Sequence, residues 1–187
     1  MDAGTASSAI KVIVVMGVSG SGKSTIASML AQRLHWVYED ADWFHPQSNI
    51  EKMHHGEPLT DQDRWPWLHA IAAWIDATRR AEGHGVCACS ALKRAYRDIL
   101  IGDRRDVSLV FLKGDRDLIA RRIAARADHF MPPALLDSQF KTLEEPQPDE
   151  RAIVVSIAPH PREIVEDIVR KVGLEPMQAK ADPAVQR

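Results

Sequence analysis

The sequence predicts an α/β protein with a five-stranded parallel sheet and helices on both of its faces, and three observations carry that prediction. A glycine-rich segment, Gly17-Val18-Ser19-Gly20-Ser21-Gly22-Lys23-Ser24, stands between a β-branched run and a helical pattern. Short apolar runs alternate along the chain with stretches of 3.6-residue periodicity, as in a doubly wound sheet. At 187 residues and 45% hydrophobic content, the chain suits one globular domain with a substantial core.

Each element has its own justification. "IKVIVVM" is rich in β-branched residues and short enough for a buried strand over Lys11–Met16. Ile26, Met29, Leu30 and Leu34 then recur at helical spacing, giving a helix over Lys23–His35. A second strand follows at Trp36–Glu39 and a short helix at Gln47–His54. Trp65, Trp67, Leu68, Ile71 and Ile75 drive a long helix, Asp63–Glu82, into the core, with Thr60 or Asp61 placed to cap it. The apolar run "GVCACS" gives a third strand at Gly85–Cys89, followed by a helix over Lys93–Ile101 and a strand over Ser108–Leu112. Helices at Arg116–Arg126 and Ala134–Leu143 precede the last strand, Ala152–Ile157, and the last helix, Arg162–Val172. Helices separate most strands, so parallel crossovers are expected. Residues 10–173 form the expected single domain, and the polar, unpatterned segments 1–9 and 174–187 are expected to be flexible tails.

Composition narrows the function. A formal net charge of −2 offers no general attraction to nucleic acid or to an anionic membrane surface. No apolar stretch approaches the roughly 20 residues that span a bilayer. The opening "MDAGTASSA" lacks the basic and apolar parts of a signal peptide, so a cytoplasmic protein acting on a small molecule is expected. Cys87 and Cys89 stand two apart in a strand, where both point to one face; they read as core thiols.

The glycine-rich segment fits GxxxxGK followed by Ser or Thr, the phosphate-binding loop, with strand before it and helix after it. Its glycines let successive backbone N–H groups turn inward, and the helix start adds unpaired amides and a positive dipole end. Gly17 to Thr25, with Val18, Ser19, Gly20, Ser21 and Gly22 between them, are therefore the candidate nucleoside-triphosphate site. Lys23 is placed to reach the β- and γ-phosphates, and Ser24 to offer its hydroxyl to Mg²⁺.

In a parallel sheet, ligands gather beyond the carboxyl ends of the strands, so the residues there are the candidates for handling the acceptor. "EDADWFHP" places Asp40 and Asp42 after the second strand. One carboxylate can hold the metal, here Asp40, while the other, Asp42, accepts the proton of an attacking hydroxyl. Lys93, Arg94 and Arg97 crowd the start of a helix, where cations oppose the dipole and call for an anion; Arg64 sits in a first turn for which the same holds. Arg122 and Arg126, four apart on one helix face, can close over transferring phosphates or simply cap that helix. Asp61 or Asp63 is a competing partner for Arg64, and a solvated basic face a competing account of the helix-start cations. No DxxG or NKxD segment accompanies the loop, which argues against a GTP-driven switch. A kinase for another small hydroxy acid, such as a shikimate-like substrate, would keep every catalytic group.

Beyond the loop, "DADWFHPQSNIEKMHHGEPLTDQDRWPWL", "CSALKRAYRDIL", "RADHFMP" and "LLDSQFKTLEEP" resemble the gluconate kinases, or gluconokinases, and the resemblance runs from about Val12 to Val172. It implies a three-layer P-loop kinase fold with a helical substrate-binding insertion and a short lid. It also implies ATP with Mg²⁺, a homodimer, and phosphorylation of D-gluconate at its 6-hydroxyl. Carried onto this sequence, it makes Asp42 the group beside the acceptor hydroxyl and Arg64, Lys93 and Arg97 the gluconate pocket, with His45 and the lid histidine His129 beside the substrate. Arg122 and Arg126 become lid cations.

Overall fold

The computed structural model describes residues 10–125 and 133–174. Both expected tails lie outside the described residues, apart from Leu174. Five strands, β1 (Val12–Met16), β2 (Val37–Asp40), β3 (Gly85–Ala88), β4 (Val107–Lys113) and β5 (Ile153–Ser156), form one sheet in the order β2-β3-β1-β4-β5. All four pairings are parallel, with Val14 level with Cys87 on one side and Leu109 on the other. β1 is the central strand and is fully buried along its length, which explains why its sequence shows no polar alternation.

The two faces are nonetheless distinct. Ile13 and Val15 belong to a cluster with Ile26 and Leu30 of α1 (Lys23–Leu34) and Ile164, Val165 and Ile168 of α7 (Pro161–Val172). Val12, Val14 and Met16 point the other way, onto Trp67, Leu68, Ile71 and Ile75 of α3 (Asp61–Arg80) and Tyr96 and Leu100 of α4 (Arg94–Leu100). The sheet is thus the middle of three layers. Cys87 and Cys89 are both free and lie in the second cluster; burial raises both thiol pKa values, that of Cys89 to about 12.

The remaining helices are α2 (Gln47–His54), α5 (Arg116–Ala124) and α6 (Pro133–Thr142). The long helix starts two residues earlier than its apolar pattern indicates. Thr60 caps it by accepting from the Asp63 backbone N–H at 3.2 Å, and Asp63 answers by accepting from Thr60 N–H at 2.8 Å. Two short 3₁₀ turns, Ala41–Phe44 and Pro148–Glu150, escaped the periodicity, since neither is long enough to show one. No described helix is long and apolar enough to cross a membrane.

Candidate functional site

The chain leaves β1 at Met16 and turns through the glycine-rich loop into α1. At Gly17 a Cβ would stand 2.7 Å from Ser21 Oγ and 3.1 Å from the Leu112 carbonyl, and at Gly20 (φ +82°) it would meet Ile123 at 2.6 Å. Only glycine lets the loop curl this tightly under its neighbours. No side chain caps the start of α1, so its first amides stay open. Ser21 is buried, and its Oγ is the one buried side-chain polar atom among the described residues that lacks a hydrogen-bond partner. An orphaned buried hydroxyl beside open amides is what an oxygen-rich anion would satisfy. A recess of about 90 Å³ lies here, lined by Gly20, Gly22, Lys23, Ser24 and Thr25. Lys23 Nζ donates to the Val18 carbonyl at 3.1 Å; burial lowers its pKa, and Cys89, Asp42 and Asp40 oppose that shift.

At the end of β2, Asp40 organises the next group of residues. Its Oδ2 accepts from Ser24 Oγ at 2.8 Å and from the Tyr38 hydroxyl at 3.0 Å, while its Oδ1 accepts from the Asp42 backbone N–H at 3.1 Å. Burial, then the bond to Asp40, pushes the Tyr38 pKa up to about 12. Ser24 and Asp40 therefore meet at the mouth of the loop, and this pair of oxygens fits a hard divalent cation such as Mg²⁺. The 3₁₀ turn that carries Asp42 is pinned to α3 by Trp67 Nε1, which donates to the Ala41 carbonyl at 2.6 Å. Asp42 has its pKa raised, first by desolvation and then by Asp40, while His45 and Lys23 pull it down. His45 stacks on Trp67 with ring centroids 4.5 Å apart and planes 8° apart. Burial, assisted by Arg64, lowers the His45 pKa against the pull of Asp42.

A cationic seat is formed by Arg64 in the first turn of α3 and Lys93 at the start of α4. Lys93 Nζ bonds both oxygens of Asp61, at 2.7 and 2.9 Å, and the Tyr96 hydroxyl donates to the same carboxylate at 2.5 Å. Arg64 Nη1 donates to the Leu59 carbonyl at 2.7 Å and stands 3.7 Å from Asp61. Both cations sit over the Tyr96 ring, 6.0 and 5.7 Å from its centroid. Lys93, then Tyr96, holds the Asp61 carboxyl below its usual range. Asp61 and Tyr96 were not selected from sequence as site residues. The available signal was a surplus: one carboxylate suffices for the capping box, and Asp63 serves it, so Asp61 was free for another task.

The Ser24–Asp40 bond, the Asp40 bond to the Asp42 amide, the Trp67 bond to Ala41 and its stack on His45 thus connect the phosphate-type loop to α3, whose first turn carries Arg64 beside Lys93 over the Tyr96 ring. Residues 12–146 match the AAA domain family. The chain is 47% identical to the gluconokinase of Gluconobacter oxydans over 164 residues, covering 87% of this chain and 92% of that protein. It is also 47% identical to the thermoresistant gluconokinase of Escherichia coli over 144 residues, 77% of this chain and 82% of the other. The chain belongs to the gluconokinase family. A crystal structure of a gluconokinase from Sinorhizobium meliloti superposes with a TM-score of 0.79 at 43% identity, covering 87% of this chain and 91% of that one. A shikimate kinase structure from Bacteroides thetaiotaomicron, 18% identical with a TM-score of 0.63, shares the fold.

Two arginines expected in the gluconokinase site have other work in this structure. Arg97 is 2% exposed and donates to both oxygens of Glu150, at 2.5 and 2.9 Å, and to the carbonyls of Ala91 and Leu92, each at 3.1 Å. Four of its five N–H donors are spent inside the protein in this structure. The anion that a cation-rich helix start demanded is internal: Lys93 has Asp61, Arg94 has Asp149, and Arg97 has Glu150. Arg122 Nη2 donates to the Ile157 carbonyl at 2.6 Å, bracing α5 against the residue that follows β5. Arg126 and His129 lie outside the described residues. No group of three or more His, Cys, Asp or Glu positioned to hold a metal occurs among the described residues.

Proposed function

We propose that this chain transfers the γ-phosphoryl group of ATP to the 6-hydroxyl of D-gluconate, giving 6-phospho-D-gluconate. The observation that carries this reading is the chain of contacts from the phosphate-type loop through Ser24–Asp40, Asp42 and the Trp67–His45 stack to α3, whose first turn sets Arg64 beside Lys93 over the Tyr96 ring. Gluconate has that polarity: its reacting hydroxyl and its carboxylate are at opposite ends of an open chain. Family membership, with relatives named gluconokinase at 47% identity, supports the same acceptor.

In this mechanism the open amides of the loop and Lys23 hold the β- and γ-phosphates and neutralise charge that grows on the transferring group. Ser24 and Asp40, whose side-chain oxygens meet at 2.8 Å, would hold Mg²⁺, which would supply charge neutralisation for the phosphates. Asp42, whose raised pKa suits a proton acceptor, takes the proton of the 6-hydroxyl. Neutral His45 stands beside it, where its ring can meet an acceptor hydroxyl. Arg64, with its planar fork, pairs with the acceptor carboxylate, and Lys93 adds a second charge that Asp61 balances while the seat lacks an acceptor. Arg122 and Arg126 act as lid cations in this proposal, which requires Arg122 to leave the Ile157 carbonyl on closure. The homodimer and the cytoplasmic location that the resemblance implies belong to the same proposal.

Incubation with MgATP and gluconate, followed by phosphorus and carbon NMR of the product, tests the reading. The expected product carries phosphate on C6. Phosphate at another carbon, or ADP formation without a phosphorylated acid, would refute it.

A further inference from the structure

The α5–α6 pair touches the phosphate loop at two points that the proposed chemistry does not use. Ile119 and Ile123 of α5 close over Gly20, where a Cβ would stand 2.6 Å from Ile123 and 3.1 Å from Ile119. From α6, Gln139 reaches Ser19 with both ends of its amide: Oε1 accepts from the Ser19 backbone N–H at 2.7 Å, and Nε2 donates to Ser19 Oγ at 2.9 Å. This pair spans 120 residues of sequence and is partly buried. The two helices are tied to each other by Arg116 Nε and Asp137 Oδ1, at 2.5 Å.

A two-point amide contact fixes both position and orientation, and here it fixes the apex of a loop whose backbone must stay shaped for phosphate. Gln139 also satisfies a loop amide from outside the loop, from α6, 120 residues away in sequence. We propose that Gln139 is a positioning residue that latches α6 to Ser19, so that nucleotide binding at the phosphate loop and the placement of the α5–α6 stem are coupled. The proposal rests on the reading of the loop as a nucleotide site.

Two measurements on the full chain test it: calorimetric titration with MgADP, and hydrogen exchange of residues 133–142 with and without MgADP. In the wild type, MgADP should slow exchange across α6. Gln139→Ala should weaken MgADP about threefold to tenfold, the scale of one or two net hydrogen bonds, and abolish that slowing while the melting curve stays close to wild type. Gln139→Glu keeps the size and the acceptor for the Ser19 amide but sets a negative charge beside the loop, so it should melt normally and bind MgADP more weakly than the wild type. Ser19→Ala combined with Gln139→Ala should lose less affinity than the two single losses together. Wild-type affinity and wild-type α6 protection in the Gln139 variants would overturn the latch. Failure of the wild type to bind MgADP would instead overturn the reading of the loop, and the two failures are distinguishable.

Discussion

Arg97 and Glu150 meet as a two-pronged ion pair, Nε to Oε2 at 2.5 Å and Nη2 to Oε1 at 2.9 Å, with side chains only 2% and 7% exposed. The pair joins α4 to the 3₁₀ turn that leads into β5. Glu150 Oε1 also accepts from the Gln147 backbone N–H at 2.8 Å, so the carboxylate has a partner on both sides.

Removing one member leaves the other charge buried. Glu150→Ala should therefore cost about 3–5 kcal/mol and lower Tm by on the order of 10 °C in a melting curve. The Arg97 guanidinium holds the Glu150 carboxyl below its ordinary range, so the stabilisation is complete above about pH 4.3, the unfolded value. It is lost as pH falls through the lower folded value. An acid melting series in which Glu150→Ala tracks the wild type would contradict this account.

Lys23→Ala should leave the fold intact and lower kcat by roughly 10²–10³, because a charge donor aimed at the transferring group contributes about 2.7–4 kcal/mol to the transition state. Near-normal turnover in a folded variant would remove the loop from the chemistry.

Asp42→Asn keeps the shape and loses the proton acceptor, so kcat should fall on the order of 10²–10⁴ while MgATP affinity holds. Because the folded protein raises the Asp42 pKa, wild-type kcat should drop as pH falls through that raised value, a limb that the variant lacks. The sign for stability is opposite to that of Glu150: ionised Asp42 costs stability, increasingly as pH rises through the folded value. The Asn variant should thus melt no lower than the wild type at neutral pH. A collapse of MgATP affinity with unchanged kcat would make Asp42 a metal or structural residue.

Arg64→Lys removes a planar fork and keeps the charge. KM for gluconate should rise tenfold to a hundredfold, the scale of a lost hydrogen bond to a charged group, with KM for ATP nearly unchanged. If Arg64 only supports the Leu59 carbonyl and Asp61, the variant should melt lower and keep the same gluconate-to-glucose ratio of kcat/KM.

The fold was legible because its signals are local. Val12 to Met16 is a continuous apolar run that belongs in the centre of a parallel sheet, and the loop that follows it has few alternative uses. The Ser24–Asp40 contact was reachable by the same logic, since Ser24 follows β1 and Asp40 ends β2, two parallel strands separated only by β3, so that both residues lie at the carboxyl edge of the sheet. Arg97 shows where that logic stops. A cation at a helix start demands an anion, but sequence does not say whether the anion is a ligand or Glu150, 53 positions away. The Gln139–Ser19 contact is hidden for the same reason: an amide in the middle of a helix carries no signal of its distant partner.

The most direct test of the central claim is the ratio of kcat/KM for gluconate to that for shikimate, measured at saturating MgATP with glucose as the neutral control. The phosphate loop, Asp42 and the metal pair would serve any of these acceptors, so the comparison with neutral glucose isolates the cationic seat and the comparison with shikimate, also a carboxylate, isolates the placement of that seat. Gluconate is predicted to exceed both by at least about two orders of magnitude, the scale of one well-formed ionic pairing that a mismatched acceptor forfeits. Equal rates for gluconate and glucose, or a preference for shikimate, would contradict the account.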